Sequence, residues 1–385
     1  MNLKKVKTVI VGGGVQAVAL ALRCLKEGHK DFVIVDPQPL LNEWVRNVLA
    51  QGIDKLRTPF TAHLDPSDDP EAMMINLQNG RPLKGVNPAE PAHSYLFNGH
   101  SLRLVRKAGL EKYRVPGQVK LVEHRNYDSL GNWMVTVSVR GEEHYYLTDD
   151  VVCAVGLGKP WMPDLCIAHP NIVHSHYVNA NDLPYGRNFC VVGSGLTAAT
   201  LAVKMAESGA KVDLCGRSQM SVQQLETDPL WRPGERLQKA FVNVEDHHER
   251  ARQLKAARTA NVVTPDIWER VVHHAEYGSI EMHTGVSVDG VEITEKNAVR
   301  LNSKDHDAVI FATGYKVDVR NLPMFKHVSP ILMHVDGLPV LENNFESNLQ
   351  GLFFMGKLGE LAGGPLMRNI PGARYASKQI VAEIA

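Results

Sequence analysis

Gly12, Gly14 and Ala17 stand at the spacing G-x-G-x-x-G/A, directly after the apolar run Thr8 to Val11. At that spacing the first glycine admits a tight turn and the second lets backbone approach a pyrophosphate. A small third residue lets the following helix pack on the strand. Val15, Val18, Ala19, Leu22 and Leu25 then recur at helical spacing, Gly28 fits just past the helix end, and Phe32 to Val35 reads as a second strand. A helix amino terminus offers free N–H groups and partial positive charge to phosphate. Val15 and Gln16 therefore join Gly12 and Gly14 as candidate contacts. Asp36 ends the second strand, where an acid can hydrogen-bond ribose hydroxyls, which favours FAD or NAD over NADP. The Lys-Lys-Val-Lys start followed by apolar residues also fits a secretory signal. Three successive glycines and the lack of a small-residue cleavage site argue against that reading.

The pattern returns in mid-chain. Phe189 to Val192 is a strand, Gly193, Gly195, Leu196, Thr197 and Ala198 open a helix, Gly209 ends it, and Lys211 to Cys215 is the next strand. No acid closes this copy; Gly216, Arg217 and Ser218 do. An arginine there can pair with a 2′-phosphate, so this half is expected to take NADPH; the plain alternative is a solvated surface arginine. Ala154-Val155-Gly156 and the run Asp307 to Tyr315 both end apolar strands in Ala-x-Gly. Each is expected to mark a crossing between nucleotide units, with Thr313 and Gly314 on the NADPH side.

The elements that must position these turns are legible in outline. After Asp36 the chain reads as loop, short helix and loop, carrying Arg57, Pro59, His63 and Asp65. Residues 80–91 form a connector, and Ser94 to Tyr113 has helical spacing. Val119 to Val152 alternates as a small antiparallel meander, and Gly158 to Pro163 reads as a crossing linker. Between Gln219 and Tyr277 the chain is polar and helical. Its charged run Glu245 to Arg258 is read as a solvated face, Thr264-Pro265 as a helix start, and Trp231, Trp268 and Met220 as possible cavity lining. Strand-like sequence returns at Val286 to Ile293. Near the end, Leu352 to Met355 is a strand and Gly356 a turn. Gly363-Gly364-Pro365 is a loop, and Ala373 to Ile384 a helix. Gly356, Gly364 and Pro365 are candidates for the pyrimidine end of a flavin.

The fold expected is α/β, with two Rossmann-like dinucleotide-binding domains. Residues 1–165 and 305–385 would form a discontinuous FAD domain holding the β meander. Residues 186–304 would form the NADPH domain, with a helical insert at about 219–277. A chain of 385 residues is long enough for both. Lys plus Arg and Asp plus Glu both number 42, so no global field recruits nucleic acid or anionic lipid. No apolar run approaches the ~20 residues of a membrane helix. Cys24, Cys153, Cys166, Cys190 and Cys215 are dispersed without a C-x-x-C, which suggests reduced thiols in a cytoplasmic protein. His174 and His176 would share one face of a strand, but no third ligand is in view, so no metal is assigned. A homo-oligomer is compatible with the sequence.

Taken together, these motifs resemble the class B flavoprotein monooxygenases, closest to the N-hydroxylating branch that acts on side-chain amines of lysine or ornithine. Phe311-Ala312-Thr313-Gly314-Tyr315, preceded by Asp307, is the sharpest match. The resemblance implies FAD and NADPH as cofactors, a C4a-hydroperoxyflavin, and oxygenation of a small nucleophilic substrate by O2, with amine N-hydroxylation the leading case. It points to Arg57, His63 and Tyr315 near the reacting atoms. Departures exist. The substrate-holding lysine of that branch has no clear counterpart near Leu56 to Pro66, Asn321-Leu322-Pro323 only approximates a His/Asn-Pro pair, and Lys357 follows Gly356 where disulfide reductases commonly carry Asp. Two rival readings remain: an NADPH-dependent flavin oxidoreductase relaying electrons to a quinone or small disulfide, and a non-catalytic FAD-binding redox sensor.

Overall fold

The computed structural model describes residues 2–384 other than 68, 76–82, 84–85, 126–131, 157, 165–167, 183–186, 289 and 296–297. Cys166, both domain limits at 165 and 186, and much of the 80–91 connector lie outside the described residues.

Two five-stranded parallel sheets organise the chain. In the first, the spatial order is Leu352–Phe354, Asp150–Cys153, Thr8–Val11, Phe32–Val35, Arg114–Val115. Counted along the sequence this is 5-4-1-2-3, the order of doubly wound dinucleotide folds. In the second the order is Ile172–His174, Ala308–Phe311, Asn188–Val192, Lys211–Gly216, Ile280–Thr284. Strands buried on both faces read as unbroken apolar runs, which is why TVIV and FVIV were visible in the sequence. Helices Val15–Lys26 and Leu196–Glu207 follow the two glycine turns, and Gly28 and Gly209 end them at φ +89° and +88°.

The meander is formed by Gln118–His124, Trp133–Val139 and Glu142–Thr148, all antiparallel. The amino-terminal strand Asn2–Lys5 adds to it in parallel with Glu142–Thr148, so the Lys-rich start is sheet edge. The two crossing segments pair with each other, Lys159 opposite Lys316 and Pro160 opposite Tyr315. No helix among the described residues is long and apolar enough to cross a membrane.

Four expectations need correction. Lys55–Pro59 is a strand paired with Pro91–His93, where the sequence read as loop. The terminal helix begins at Ile370, with Pro371 in its first turn where a missing N–H costs nothing. The charged run is not a solvated face throughout. Arg250 is buried and donates to the carbonyls of Val242, Val244 and Leu361 at 2.9, 2.6 and 2.9 Å. Finally, the helical insert divides. Trp231, Phe241, Ala251 and Leu254 join the large core around the first sheet, while Val263, Ile267 and Val271 pack with Leu196–Glu207 on the second. Trp231 lies against Phe241 at 5.6 Å between ring centroids, and Trp268 and Met220 pack on the second core, so the three do not line one cavity.

Candidate functional site

The two glycine turns are built alike. A Cβ on Gly12 would lie 2.8 Å from the Ala154 carbonyl oxygen, so only glycine fits beside that strand end. Gly14 and Gly195 are different: a Cβ on either meets nothing within 4 Å. Each is the N-cap of its helix, neither helix has a side-chain cap, and neither carries an acid in its first turn. The protein itself leaves these N–H groups and the space before them to something else. An anionic diphosphate would suit such N–H groups, accepting from them in a region of partial positive charge.

Asp36 closes the first turn by accepting from the Gly13 N–H at 2.7 Å, with its other oxygen taking the Gln38 N–H at 2.7 Å. Burial pushes its carboxyl up, against those two bonds. Arg217 and Ser218, at the equivalent place in the second turn, are exposed, and Arg217 forms no ion pair among the described residues. Leu196 and Thr197 begin the second helix, half-buried beside a cavity of about 50 Å³ shared with Asp54, Lys55 and Thr264. A larger cavity of about 340 Å³ opens near Lys7, Thr8 and Phe32. It lies at the amino-terminal ends of the front strands, opposite the carboxyl ends where such sheets bind ligands.

Beyond Gly14 the chain assembles a half-buried charge network from three distant stretches. Arg57 holds Glu226 at 3.1 Å and donates to the Val262 carbonyl at 2.8 Å; Arg368 grips the same Glu226. Arg258 pairs with the fully buried Glu360 and donates to the Pro365 carbonyl at 2.8 Å, and Lys357 meets Glu360 at 2.5 Å. Four cations thus face two carboxylates. Burial pulls the Arg57 and Lys357 values down. Burial also works to raise Glu226, but Arg368 and Arg57 outweigh it and hold that carboxyl below its usual range. Gln16 donates to the Met367 carbonyl at 3.1 Å and touches the position a Gly356 Cβ would take, at 3.3 Å. Gly364 adopts φ +98° with Trp231 standing 3.4 Å from its Cβ position. Gln16 Oε1, Thr58 Oγ1, Thr227 Oγ1 and Arg258 Nε are buried here without partners among the described residues. Orphaned polar atoms of both kinds suit a heterocycle bearing carbonyls and an N–H, such as a flavin's pyrimidine ring.

The three residues nominated for chemistry have separate surroundings. Arg57 belongs to the network above. His63 is wholly buried, its Nε2 2.9 Å from the Asp69 carbonyl and its ring 5.9 Å from that of His100. Burial pushes both histidines down to about 4, so they are neutral at pH 7. Tyr315 lies in the crossing ribbon, its hydroxyl 3.1 Å from His176 Nδ1, and His176 reaches Glu43 at 3.8 Å. Burial and Glu43 push the phenol up. Thr313 and Gly314 spend their polar groups on the same ribbon. The Thr313 hydroxyl donates to the Trp161 carbonyl, and the Gly314 carbonyl accepts from Trp161 N–H at 3.0 Å and faces His174 Nε2 at 2.9 Å. His174 Nδ1 accepts the His176 N–H at 3.1 Å, so these two histidines form a capped turn and not a metal site. Asp213, Glu281 and His283 have metal-like spacing, but the Lys304 ammonium already bonds both carboxylates at 2.8 and 3.0 Å.

Glu226, Arg258, Glu360 and Arg368 were not found from the sequence. Nothing local marks them, because their meaning arises only when loop, insert and carboxyl-terminal turn converge.

Fold and site define an α/β protein with two parallel sheets, each with a glycine turn that leads into a helix without a side-chain cap. Residues 6–378 match the pyridine nucleotide-disulphide oxidoreductases, and the chain belongs to that family. It is therefore an oxidoreductase. No curated protein sequence matches it. Among solved structures it is similar to ornithine hydroxylase (PvdA) from Pseudomonas aeruginosa, at 18% identity over 99% of both chains with TM-score 0.80. It is similar also to the ornithine N-hydroxylase KtzI of Kutzneria sp. 744, solved with reduced FAD, NADP+ and L-ornithine, at 14% identity over 99% of both chains and TM-score 0.79. Bacillithiol disulfide reductase from Bacillus cereus follows at 17% identity, 99% of both chains and TM-score 0.68. The expected likeness to the N-hydroxylating flavoproteins thus holds at the level of fold.

Proposed function

We propose that the chain is an FAD- and NADPH-dependent monooxygenase acting on a small nucleophile, with N-hydroxylation of an amine the leading reaction. One observation carries the reading: two glycine turns with open space at the second glycine, the first closed by Asp36, the second followed by an exposed Arg217 that forms no ion pair among the described residues. Gly12, Gly14, Val15, Gln16, Asp36, Gly356, Gly364 and Pro365 would hold FAD. Gly193, Gly195, Leu196, Thr197, Arg217 and Ser218 would hold NADPH. In domain terms, 1–165 and 305–385 form the flavin unit and 186–304 the nicotinamide unit, with the insert's first half lent to the flavin side.

FAD, when bound, accepts a hydride from NADPH and activates O2 for transfer of one oxygen atom. The chain's own residues supply geometry and field. The helix beginning at Val15 would offer the diphosphate its free N–H groups and partial positive charge. The network of Arg57, Arg258, Arg368 and Lys357 places a cationic surplus where negative charge must be accommodated. Trp231 and Phe241, held down through Arg250, cover Gly364 and keep water from it.

The similarity to bacillithiol disulfide reductases supports a second reading, reduction of a small disulfide by NADPH through FAD. Rapid mixing separates the two. Enzyme reduced by NADPH and mixed with O2 should give a long-lived species absorbing in the near ultraviolet, and immediate reoxidation without it would favour the reductase.

A further inference from the structure

Cys190 and Cys215 lie side by side beneath the second glycine turn. Strand alternation places Cys190 and Val192 on the face opposite Phe189 and Val191. The ladder sets Val192 against Cys215 and Cys190 against Asp213, so the sulfurs meet diagonally across neighbouring strands at 3.6 Å. Cys190 is 0% exposed and Cys215 7%. Asp213 beside them is held by Lys304 at 2.8 Å and by His306 at 2.7 Å. The Cys190 thiol donates to Cys215, and that hydrogen bond holds the Cys215 thiol below its usual range. The same bond and burial push the Cys190 thiol up, and burial pushes Cys24 and Cys153 up to about 12.

We propose that Cys190 and Cys215 form a reversible disulfide, a redox-modified site inside the unit read above as binding NADPH. With hydrogen peroxide as oxidant, the Cys215 thiolate takes one oxygen as the O–O bond breaks and the first water leaves. The Cys190 sulfur then attacks the Cys215 sulfur, the S–S bond forms, and the second water leaves. Two thiols give up two electrons and two protons, and peroxide takes them all. A dithiol reverses the step by exchange. Closing 3.6 Å to a bond of about 2.05 Å draws the two side chains together, with any shift of the strand ends that carry them. What the shift moves is specific. The Cys215 carbonyl accepts the Gly193 N–H at 2.8 Å, and Gly216, Arg217 and Ser218 follow directly.

The cross-link stands on sulfur geometry alone, and its effect on nucleotide rests on the NADPH reading. Flavin-loaded protein would be treated with peroxide, its remaining thiols blocked, and half of it then reduced with dithiothreitol. Peptide mass spectrometry and NADPH titration would be run on all samples. The expected result is a peptide pair joined through Cys190 and Cys215, two hydrogens lighter, with NADPH bound about fivefold or more weakly. Dithiothreitol should reverse both, and Cys190→Ser and Cys215→Ser should each abolish both. Recovery of the two cysteines as free thiols, or separately over-oxidised, overturns the proposal. A cross-link with unchanged NADPH affinity overturns the coupling. Protein that binds no NADPH even when reduced counts against the functional reading and leaves the cross-link standing.

Discussion

The carbonyl oxygen of Ala312 stands 2.6 Å from where a Cβ on Gly193 would lie, the same relation that Ala154 bears to Gly12 at 2.8 Å. Each turn is therefore locked against the strand that carries the chain back between units. Gly12→Ala and Gly193→Ala should each cost about 1–3 kcal/mol, by overpacking and by strain at positive φ. Gly14→Ala and Gly195→Ala meet no protein atom, and their stability should stay within about 1 kcal/mol of the parent. Gly14→Ala should nevertheless lose bound flavin, by roughly tenfold or more in affinity. Urea unfolding and the flavin-to-protein absorbance ratio check the pairs; equal flavin retention would show that the open space before Gly14 is not a phosphate seat.

Arg217 is exposed and, among the described residues, without an ion pair, so its guanidinium would be available to a 2′-phosphate. Arg217→Ala should weaken NADPH by about 10–100-fold, the worth of a charge-assisted hydrogen bond or two, and leave NADH nearly unchanged. Parallel titrations decide it. An equal loss for both nucleotides removes the basis for choosing NADPH.

Arg250 is buried with three backbone carbonyls as partners. Arg250→Met strands those acceptors and frees the insert from the turn at Leu361. A loss of about 2–4 kcal/mol is expected, with faster proteolysis between residues 219 and 258. Melting curves and timed trypsin digestion report the two effects separately.

His63 and His100 are held at about 4 in the folded chain against 6.5 for the free group. Between those values the unfolded chain binds protons that the folded chain refuses, so stability present above pH 6.5 is lost as pH falls toward 4. Each shift is worth up to roughly 3 kcal/mol. Asp150, pushed up to about 7 by burial and then by Asp149, acts in the opposite sense, losing stability as pH rises from 3.8 to 7. Two histidines outweigh one carboxyl. The melting temperature should fall from pH 6.5 to 4, and His100→Gln should flatten that slope; an unchanged slope would place the acid sensitivity elsewhere.

Much of this architecture was legible because its determinants are local. TVIV before Gly12 and FCVV before Gly193 could only be strands feeding glycine turns, and the alternation from Val119 to Val152 could only be a meander. Arg57 illustrates the opposite case. It was noticed as a residue of interest, but its partner Glu226 lies 169 positions away, and Arg368, which shares that carboxylate, is farther still. Arg250 and Arg258 were misread for a similar reason. A charge in a polar stretch is solvated by default, and partners distant in sequence, the Leu361 carbonyl for Arg250 and Glu360 with the Pro365 carbonyl for Arg258, help make inward burial favourable. Cys190 and Cys215 show the same blindness, since a dithiol assembled across strands leaves no spacing motif.

The ribbon in which Lys159 meets Lys316 and Pro160 meets Tyr315 turns two tethers into one stiff strap. Independent tethers would let one half tumble against the other. A hydrogen-bonded pair resists stretch and splay and gives most readily in torsion, so donor and acceptor rings carried on the two halves would approach and part along a single arc.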